Sequence, residues 1–487
     1  MKQPVSEYPH YKIRNTVERM SATAEGSLYE LVARGNKDLY FFGDSSNTQQ
    51  STFLFDNSYE AQAPFISELR RVPPVSTADF GRVVDFTFDL IGDLMQSPSI
   101  LIKLPTWLPP TESPLNYKSV VRDLSGVSFG YTQSIAYFLF ENIQFYQDNI
   151  LLQEFSGDTL WALSKISGTY ASNFLHMDET GEHDGSPQSI QKNATPPQLR
   201  LELPLIGCQR PEDTGFPQRG ATKHSYRLKC KLRKLEDLVE ASDKRQKPTP
   251  WSTTFTIQRS ATATPTQFTS LAREKIPPLE LQLETRQVYV ENDLRASLEK
   301  TPLKVRFGRI FENTYVQSAL EYTSVLAGGV STVKRRIDAR HPTSRLIWYF
   351  RSTADILANR LYSVSTPANK PYFNTASLTI ASMTRESPLE PFAWRDIMNY
   401  AKEDTDSGLE IYTMNWTLGS VAPLRFDIKD STGAVNFSTA DKPTFNIDLA
   451  NPGLPVNQPT TQLNIIVEGW AEFNTDGKGR AELFSFN

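Results

Sequence analysis

Three short stretches hold side chains whose types and spacing could do chemistry. GVSFG, Gly126 to Gly130, fits the G-x-S-x-G pattern of a nucleophile elbow and would make Ser128 the attacking group. A hydrolase triad also needs an acid and a histidine after the serine. His176, His183, His224 and His341 are present, but nothing in the surrounding sequence supplies a parallel α/β sheet to gather them. A β-turn accounts for the same five letters. HMDETGEHD, 176–184, crowds His176, Asp178, Glu179, Glu182, His183 and Asp184 into nine residues, a set able to offer nitrogen and oxygen to a metal. It has neither HExxH nor EF-hand spacing, and a polar loop around Gly181 reads the same way. His10, alone in a polar arm, carries no signal.

The third stretch is sharper. In HSYRLKCKLRK, 224–234, Tyr226, Leu228, Cys230 and Leu232 alternate with Arg227, Lys229, Lys231 and Arg233, so one strand should have an apolar side and an unusually basic one. Its functional reading is attraction to an acidic partner, and its plain reading is a solvated charged edge that resists aggregation. Asn193-Ala-Thr, Asn415-Trp-Thr and Asn436-Phe-Ser have the form of glycosylation sequons, with Asn415 inside an apparent strand. No P-loop, dinucleotide fingerprint, kinase motif set or convincing acid pair occurs, so no cofactor or catalytic residue is assigned.

The elements that must carry these residues read as strands. Val84, Phe86, Phe88 and Leu90 alternate with polar neighbours, and SPSILIKLPTWLPP follows as a second strand halted by prolines. Further strands are expected at 135–146, 149–155, 199–206 and 224–234, and a helix at about 158–170 with Asp158 as its cap. The stretch 241–278 is rich in Pro and Thr and reads as a linker with one edge strand, TTFTIQ. Beyond it, LELQLETRQVYV, LKVRFGRI, SRLIWYFRS, ASLTIASMTRE, EIYTMNWTL, TFNIDL and LNIIVEGWAEF continue the β pattern, with a helical insertion at 391–403. A chain of 487 residues with 32 Pro, 24 Gly and 11% aromatic residues suits paired β-sandwiches with aromatic cores. Lys+Arg 51 against Asp+Glu 55 excludes a globally basic nucleic-acid wrapper. Cys208 and Cys230 are too few for a disulfide scaffold and form no CxxC pair, and no run of about 18 apolar residues occurs. The expectation is a reduced, cytosol-like environment without a signal peptide or membrane span.

Segments taken in order resemble the double jelly-roll major capsid proteins of nucleocytoplasmic large DNA viruses. In the first half they are GSLYELVARGNKDLYFFGD (26–44), DLIGDLMQSPSILIKLP (89–105), ENIQFYQDNILLQEFSGDTLWAL (141–163), LPLIGCQ (203–209) and HSYRLKCKLRKLEDL (224–238). In the second they are QVYVENDLRASLEKTP (287–302), HPTSRLIWYFRS (341–352), YTMNWTLGSVAP (412–423), GAVNFSTADKPTFNIDL (433–449) and the tail 463–487. The chain departs from the family around 53–65, before NFS, and in a final motif reduced to Gly477 and Gly479.

The resemblance implies an all-β chain of two consecutive eight-stranded jelly-roll β-sandwiches with small helical insertions in loops. Its expected divisions are an N-terminal arm at 1–25, a first jelly roll at 26–240, the linker 241–278 and a second jelly roll at 279–487. It implies a structural, non-enzymatic protein, made in the host cytoplasm, that homotrimerises into pseudo-hexagonal capsomers of an icosahedral virion shell. Expected partners are neighbouring capsomers, minor capsid and penton proteins and a nearby internal viral membrane, with no sequence-specific nucleic-acid binding. The loops 167–198, 353–373 and 385–410 would form an outer tower, and Arg227, Lys229, Lys231 and Arg233 would line a lower or inter-subunit surface. The contrasting readings are a serine hydrolase using Ser128 and a carbohydrate-binding β-sandwich module.

Overall fold

The computed structural model describes residues 65–88, 90–110, 120–166, 185–209, 215–258, 262–340, 342–397, 408–416, 433–437, 442–453 and 460–484. The chain divides into two compact units, Met1–Ile66 and Ser67–Asn487. Of the first unit only Phe65 and Ile66 are described, so the arm 1–25 and the segment 26–44 lie outside the described residues, as does HMDETGEHD.

Thirteen described strands precede residue 291. They are β1 (Phe65–Val72), β2 (Val83–Thr87), β3 (Leu94–Lys103), β4 (Val121–Asp123), β5 (Phe129–Tyr131), β6 (Phe140–Gln147), β7 (Ile150–Phe155), β8 (Leu199–Glu202), β9 (Tyr226–Leu232), β10 (Val239–Ala241), β11 (Thr254–Ile257), β12 (Thr266–Thr269) and β13 (Glu280–Val290). Eight of them form two sheets, ordered β1-β13-β3-β8 and β2-β9-β6-β7. Ten more follow: β14 (Lys304–Gln317), β15 (Thr332–Arg336), β16 (Pro342–Ser352), β17 (Phe373–Ile380), β18 (Met383–Leu389), β19 (Ile411–Asn415), β20 (Val435–Asn436), β21 (Thr444–Leu449), β22 (Thr461–Thr475) and β23 (Ala481–Phe484). They give the sheets β14-β22-β16-β19 and β15-β21-β17-β18, with β20 added beside β16 and β23 beside β22. Numbered by place among the eight strands of these two sheets in each half, leaving out β20 and β23, the sheets of both halves run 1-8-3-6 and 2-7-4-5. The fold is thus β-built and jelly-roll-like.

Antiparallel pairing sorts the connections by end. In the second half β16 leaves its sheet where β19 and β22 enter, and β18 and β21 leave theirs where β17 enters. The β14–β15, β16–β17, β18–β19 and β21–β22 connections of that half therefore gather at one end of their sheets, and the tight β17–β18 turn and the long β19–β21 connection lie at the other. The first half repeats this, with β6 and β7 joined by a short hairpin at Asp148. Helices sit in the long connections: α1 (Ile135–Phe138), α2 (Gly157–Ile166) and α3 (Pro187–Lys192), then, past α4 (Asn292–Lys300) between the halves, α5 (Ala319–Leu326) and α6 (Thr353–Leu357).

The unbroken apolar run of β16 has a direct cause. Leu346, Trp348 and Phe350 enter one core cluster with Trp394, Tyr412 and Phe445, while Ile347 and Tyr349 enter another cluster that fills the first half. Phe307, Ile466 and Phe473 join that same first-half cluster. A strand covered on both faces needs no polar alternation. Trp348 anchors its side by stacking on Tyr412 at 5.6 Å and meeting Phe445 edge-on at 4.9 Å.

Several local expectations are corrected. Ile135–Phe138 is a helical turn instead of the start of a strand; all four residues are buried, so their sequence has no periodicity to read. The helix α2 is capped by Ser156, whose Oγ accepts the Thr159 N–H at 3.0 Å, and Asp158 is released for other work. The helix expected at 391–403 shows a π-type turn at Ala393–Ile397 with Trp394 buried; 398–403 lie outside the described residues. The Pro/Thr-rich stretch 241–278 holds the expected TTFTIQ strand as β11, which lies between β12 and β4 instead of at an edge, and β13 is bonded along its length to β3. Strand pairing therefore ties residues up to Val290 to the first half, and α4 follows directly.

Candidate functional site

Ser128 is fully buried, and its hydroxyl donates to the Val121 carbonyl at 3.3 Å. The turn before it is held by Asp123, whose carboxylate accepts the N–H groups of Ser125 and Val127, and Gly126 supplies the positive φ the turn requires. His224, the described histidine among the triad candidates, sits at the start of β9 and pairs with Asp148 at 2.7 Å in the β6–β7 hairpin. GVSFG is a turn leading into β5, not a nucleophile elbow, because among the described residues the buried hydroxyl meets no base.

The basic strand forms as its alternation requires. Tyr226, Leu228, Cys230 and Leu232 are buried, Arg227 and Lys231 are exposed, and Lys229 is half-buried. β9 is not an edge: β2 and β6 flank it. One of its outward cations, Lys231, meets a carboxylate directly. Lys231 Nζ lies 2.6 Å from Glu141, Asp85 is the cross-strand partner of Lys229, and Glu154 on β7 accepts from Gln144 of β6 at 2.9 Å. The Arg227 guanidinium covers the Tyr146 ring at 5.0 Å. Three cations thus have three carboxylates, Asp85, Glu141 and Glu154, on the neighbouring strands of the sheet. Arg233, expected on the same face, lies past the end of β9 and turns inward to Asp158.

That ion pair belongs to the joint between the halves, where the polar residues converge. Asp158, near the start of α2, receives Arg233 on one oxygen and Arg351, from β16, on the other. Burial alone would raise the Asp158 carboxyl, but the two guanidiniums outweigh it and hold it down at about 2. Arg351, 4% exposed, is also packed against the rings of Phe138, Trp161 and Tyr349. Beside it Glu312 of β14 accepts from the Ser156 N–H at 2.9 Å and the Thr159 hydroxyl at 2.6 Å. Burial, with the charge of Asp158 adding to it, pushes the Glu312 carboxyl up. These groups line a cleft of about 400 Å³ with Thr314, Gln462 and Asn464.

The rest of the joint is a set of amide clamps. Gln209 pairs with both backbone groups of Gly308, accepting its N–H at 2.9 Å and donating to its carbonyl at 3.2 Å. Asn359 donates to the carbonyls of Glu236 and Val239, and its own carbonyl accepts the Thr132 hydroxyl at 2.7 Å. At the far end Lys223 N–H donates to Gly479 and Gln147 to the Ala481 carbonyl. Asp93, fully buried, anchors α4: Arg295 of the helix and Arg219 both reach it, and with the Val290 N–H they overcome burial and lower its pKa. Nothing here aligns a nucleophile with a base; the arrangement locks backbone to backbone.

Sequence reasoning missed Asp158, Glu312, Arg351, Gln209 and Asn359 as joint residues. One signal was available: an arginine closing the apolar run RLIWYFR must be paired if that run is buried. The sequons differ in setting. Asn193 is buried, its amide donating to the Tyr131 carbonyl at 2.9 Å. Asn415 is half-buried opposite Arg345, and Asn436 is exposed on β20. Among the described residues no group of three or more His, Cys, Asp or Glu could hold a metal ion, and no helix is long and apolar enough to cross a membrane.

Comparison with solved structures places the fold. The chain is similar to PBCV-1 VP54, fitted into a reconstruction of the virophage Sputnik, with a TM-score of 0.67 and 12% identity over 89% of this chain and 100% of that one. It is also similar to the Faustovirus major capsid protein, with a TM-score of 0.56 and 11% identity over 86% and 92% of the two chains. A chain of the Sputnik virophage gives 0.52 and 10% over 90% and 92%. No family model matches the sequence, and no curated protein matches it.

Proposed function

We propose that this chain is a viral major capsid protein: two eight-stranded jelly rolls that trimerise into a pseudo-hexagonal capsomer of an icosahedral shell over an internal membrane. The observation that carries the reading is the sheet order 1-8-3-6 and 2-7-4-5, a jelly-roll order, present twice in one chain whose fold resembles capsid proteins. Three copies of such a chain supply six similar blocks, which is what a hexagonal tile requires. The rigid polar joint suits a wall element, since a hinge between the blocks would spoil the lattice.

On this reading the first jelly roll runs through β13 to Val290, α4 is the link, and the second runs from β14. The long connections form the outer tower, among them 353–373 and the described parts of 167–198 and 385–410. The end carrying the β6–β7 and β17–β18 turns faces inward, toward minor capsid proteins and membrane. Neighbouring capsomers and penton proteins meet the sides, the chain acts in the virion shell after synthesis in the host cytoplasm, and it has no catalytic role. The test is the native mass of the purified full chain. A particle of about 165 kDa, three times 55.0 kDa, that forms hexagonal arrays under the electron microscope is expected. A stable 55.0 kDa monomer that forms none would overturn the reading.

A further inference from the structure

Inside one chain, the joint brings a particular pair of strands together. β7, the terminal strand of β2-β9-β6-β7, lies against β14, the terminal strand of β14-β22-β16-β19. Gln153 of β7 reaches the Gly308 carbonyl of β14, Glu154 faces Arg309, and the Glu312 contacts to Ser156 and Thr159 follow just beyond β7. In the numbering by place, strand 5 of the first half meets strand 1 of the second.

Among the described residues the counterparts of these two strands have no further strand beside them. Strand 1 of the first half is β1 and strand 5 of the second is β18, and each is a terminal strand of its sheet. Both are exposed along most of their length, where β7 and β14 bury several residues. β1 presents Leu69 at 56% exposure and β18 presents Met383 at 63%. Long exposed edges that carry apolar side chains invite pairing with another chain.

A ring of six alternating blocks uses one kind of contact six times. Three are the joints within chains. A ring that repeats this contact between its similar blocks joins strand 5 of a second half to strand 1 of the next copy's first half in the other three. We infer that β18 of one copy packs against β1 of the next, and that this contact, with Met383 and Leu69 in it, is the trimer interface. The inference rests on the capsid reading, which already makes the partner a second copy, and adds to it the two surfaces that meet.

The experiment uses the full chain with Leu69→Cys, Met383→Cys, and both together, treated with a short bismaleimide. Cys230 is buried and Cys208 half-buried, and each single variant controls for them. The double variant is expected to give covalent dimers and trimers on denaturing gels, and the single variants monomers only. Separately, Leu69→Asp and Met383→Asp should each weaken the trimer by about a hundredfold or more in concentration while leaving the melting temperature of the diluted, dissociated chain unchanged, since both side chains are solvated in the monomer. Leu69→Lys combined with Met383→Asp should recover most of the loss. A native trimer that the double cysteine variant fails to link, or that the single variants link, overturns the interface and leaves the capsid reading standing. A wild-type monomer overturns both.

Discussion

Replacing Asp158 by Asn keeps the size of the side chain and removes the one negative charge shared by Arg233 and Arg351. The folded carboxyl is held at about 2 against an ordinary 3.8, a depression worth ~2.5 kcal/mol at about 1.4 kcal/mol per pH unit. Because the folded value lies below the unfolded one, this stabilisation is complete above the unfolded value and drains away as pH falls through about 2. The variant also strands Arg351, a buried guanidinium, so the whole deficit at pH 7 should reach roughly 3–5 kcal/mol. Urea unfolding of wild type and variant at pH 7, 5 and 3 measures it. The gap should be nearly constant from pH 7 to 5 and narrow by about 1 kcal/mol by pH 3, as the wild-type carboxyl begins to lose its advantage. A gap below about 1 kcal/mol at pH 7, or one that ignores pH, would refute the assignment of Asp158 as the ionised pivot of the joint.

Four further outcomes are expected. Ser128→Ala should cost about 1 kcal/mol through its bond to Val121 and leave any esterase signal at the level of the wild-type preparation; a selective loss of turnover would restore the hydrolase reading. Lys231→Glu should shift stability by no more than about 1 kcal/mol, as for an exposed pair, while Arg233→Glu should unfold the joint at far lower urea; equal effects would show that both lie on one solvated face. Gly157→Ala should lower stability by about 1–3 kcal/mol or more, because a Cβ there collides with the Tyr137 and Phe140 carbonyls, and thermal melting reads this directly. When the chain is forced through a secretory pathway, mass spectrometry should find Asn193 unmodified, and Asn193→Ala should cost about 1–3 kcal/mol as the Tyr131 carbonyl loses its donor; a glycan at Asn193 would contradict its burial.

Alternation made β9 legible residue by residue, since a period of two is a local property. Whether β9 stands at an edge or in the middle of its sheet depends on partners far along the chain, and the basic side drew attention to a face whose carboxylates, Asp85, Glu141 and Glu154, sit on other strands. Asp158 shows the same limit. As the second residue of a helix it has the right type for a cap, and only the arrival of Arg351 from β16 makes it an ion-pair centre while Ser156 takes the cap. The joint was invisible because its clamps, Gln209 and Asn359, are ordinary polar residues until a backbone from the other half comes within reach. The Pro/Thr-rich stretch before residue 279 has the composition of a linker whether it spans open space or lies against a sheet, so composition could not reveal that β11 is bonded to β4.

The place of β13 constrains how the protein can be made. It is the last strand of the first half along the chain, yet it is inserted between β1 and β3. As the polypeptide leaves the ribosome, β3 therefore waits with one flank unpaired until residue 290 has been translated, and every earlier strand must hold an incomplete sandwich meanwhile. Such long-range closure is slow and leaves sticky flanks open to neighbouring nascent chains. A protein needed in many copies at once would then be limited by how quickly this one late strand slides home.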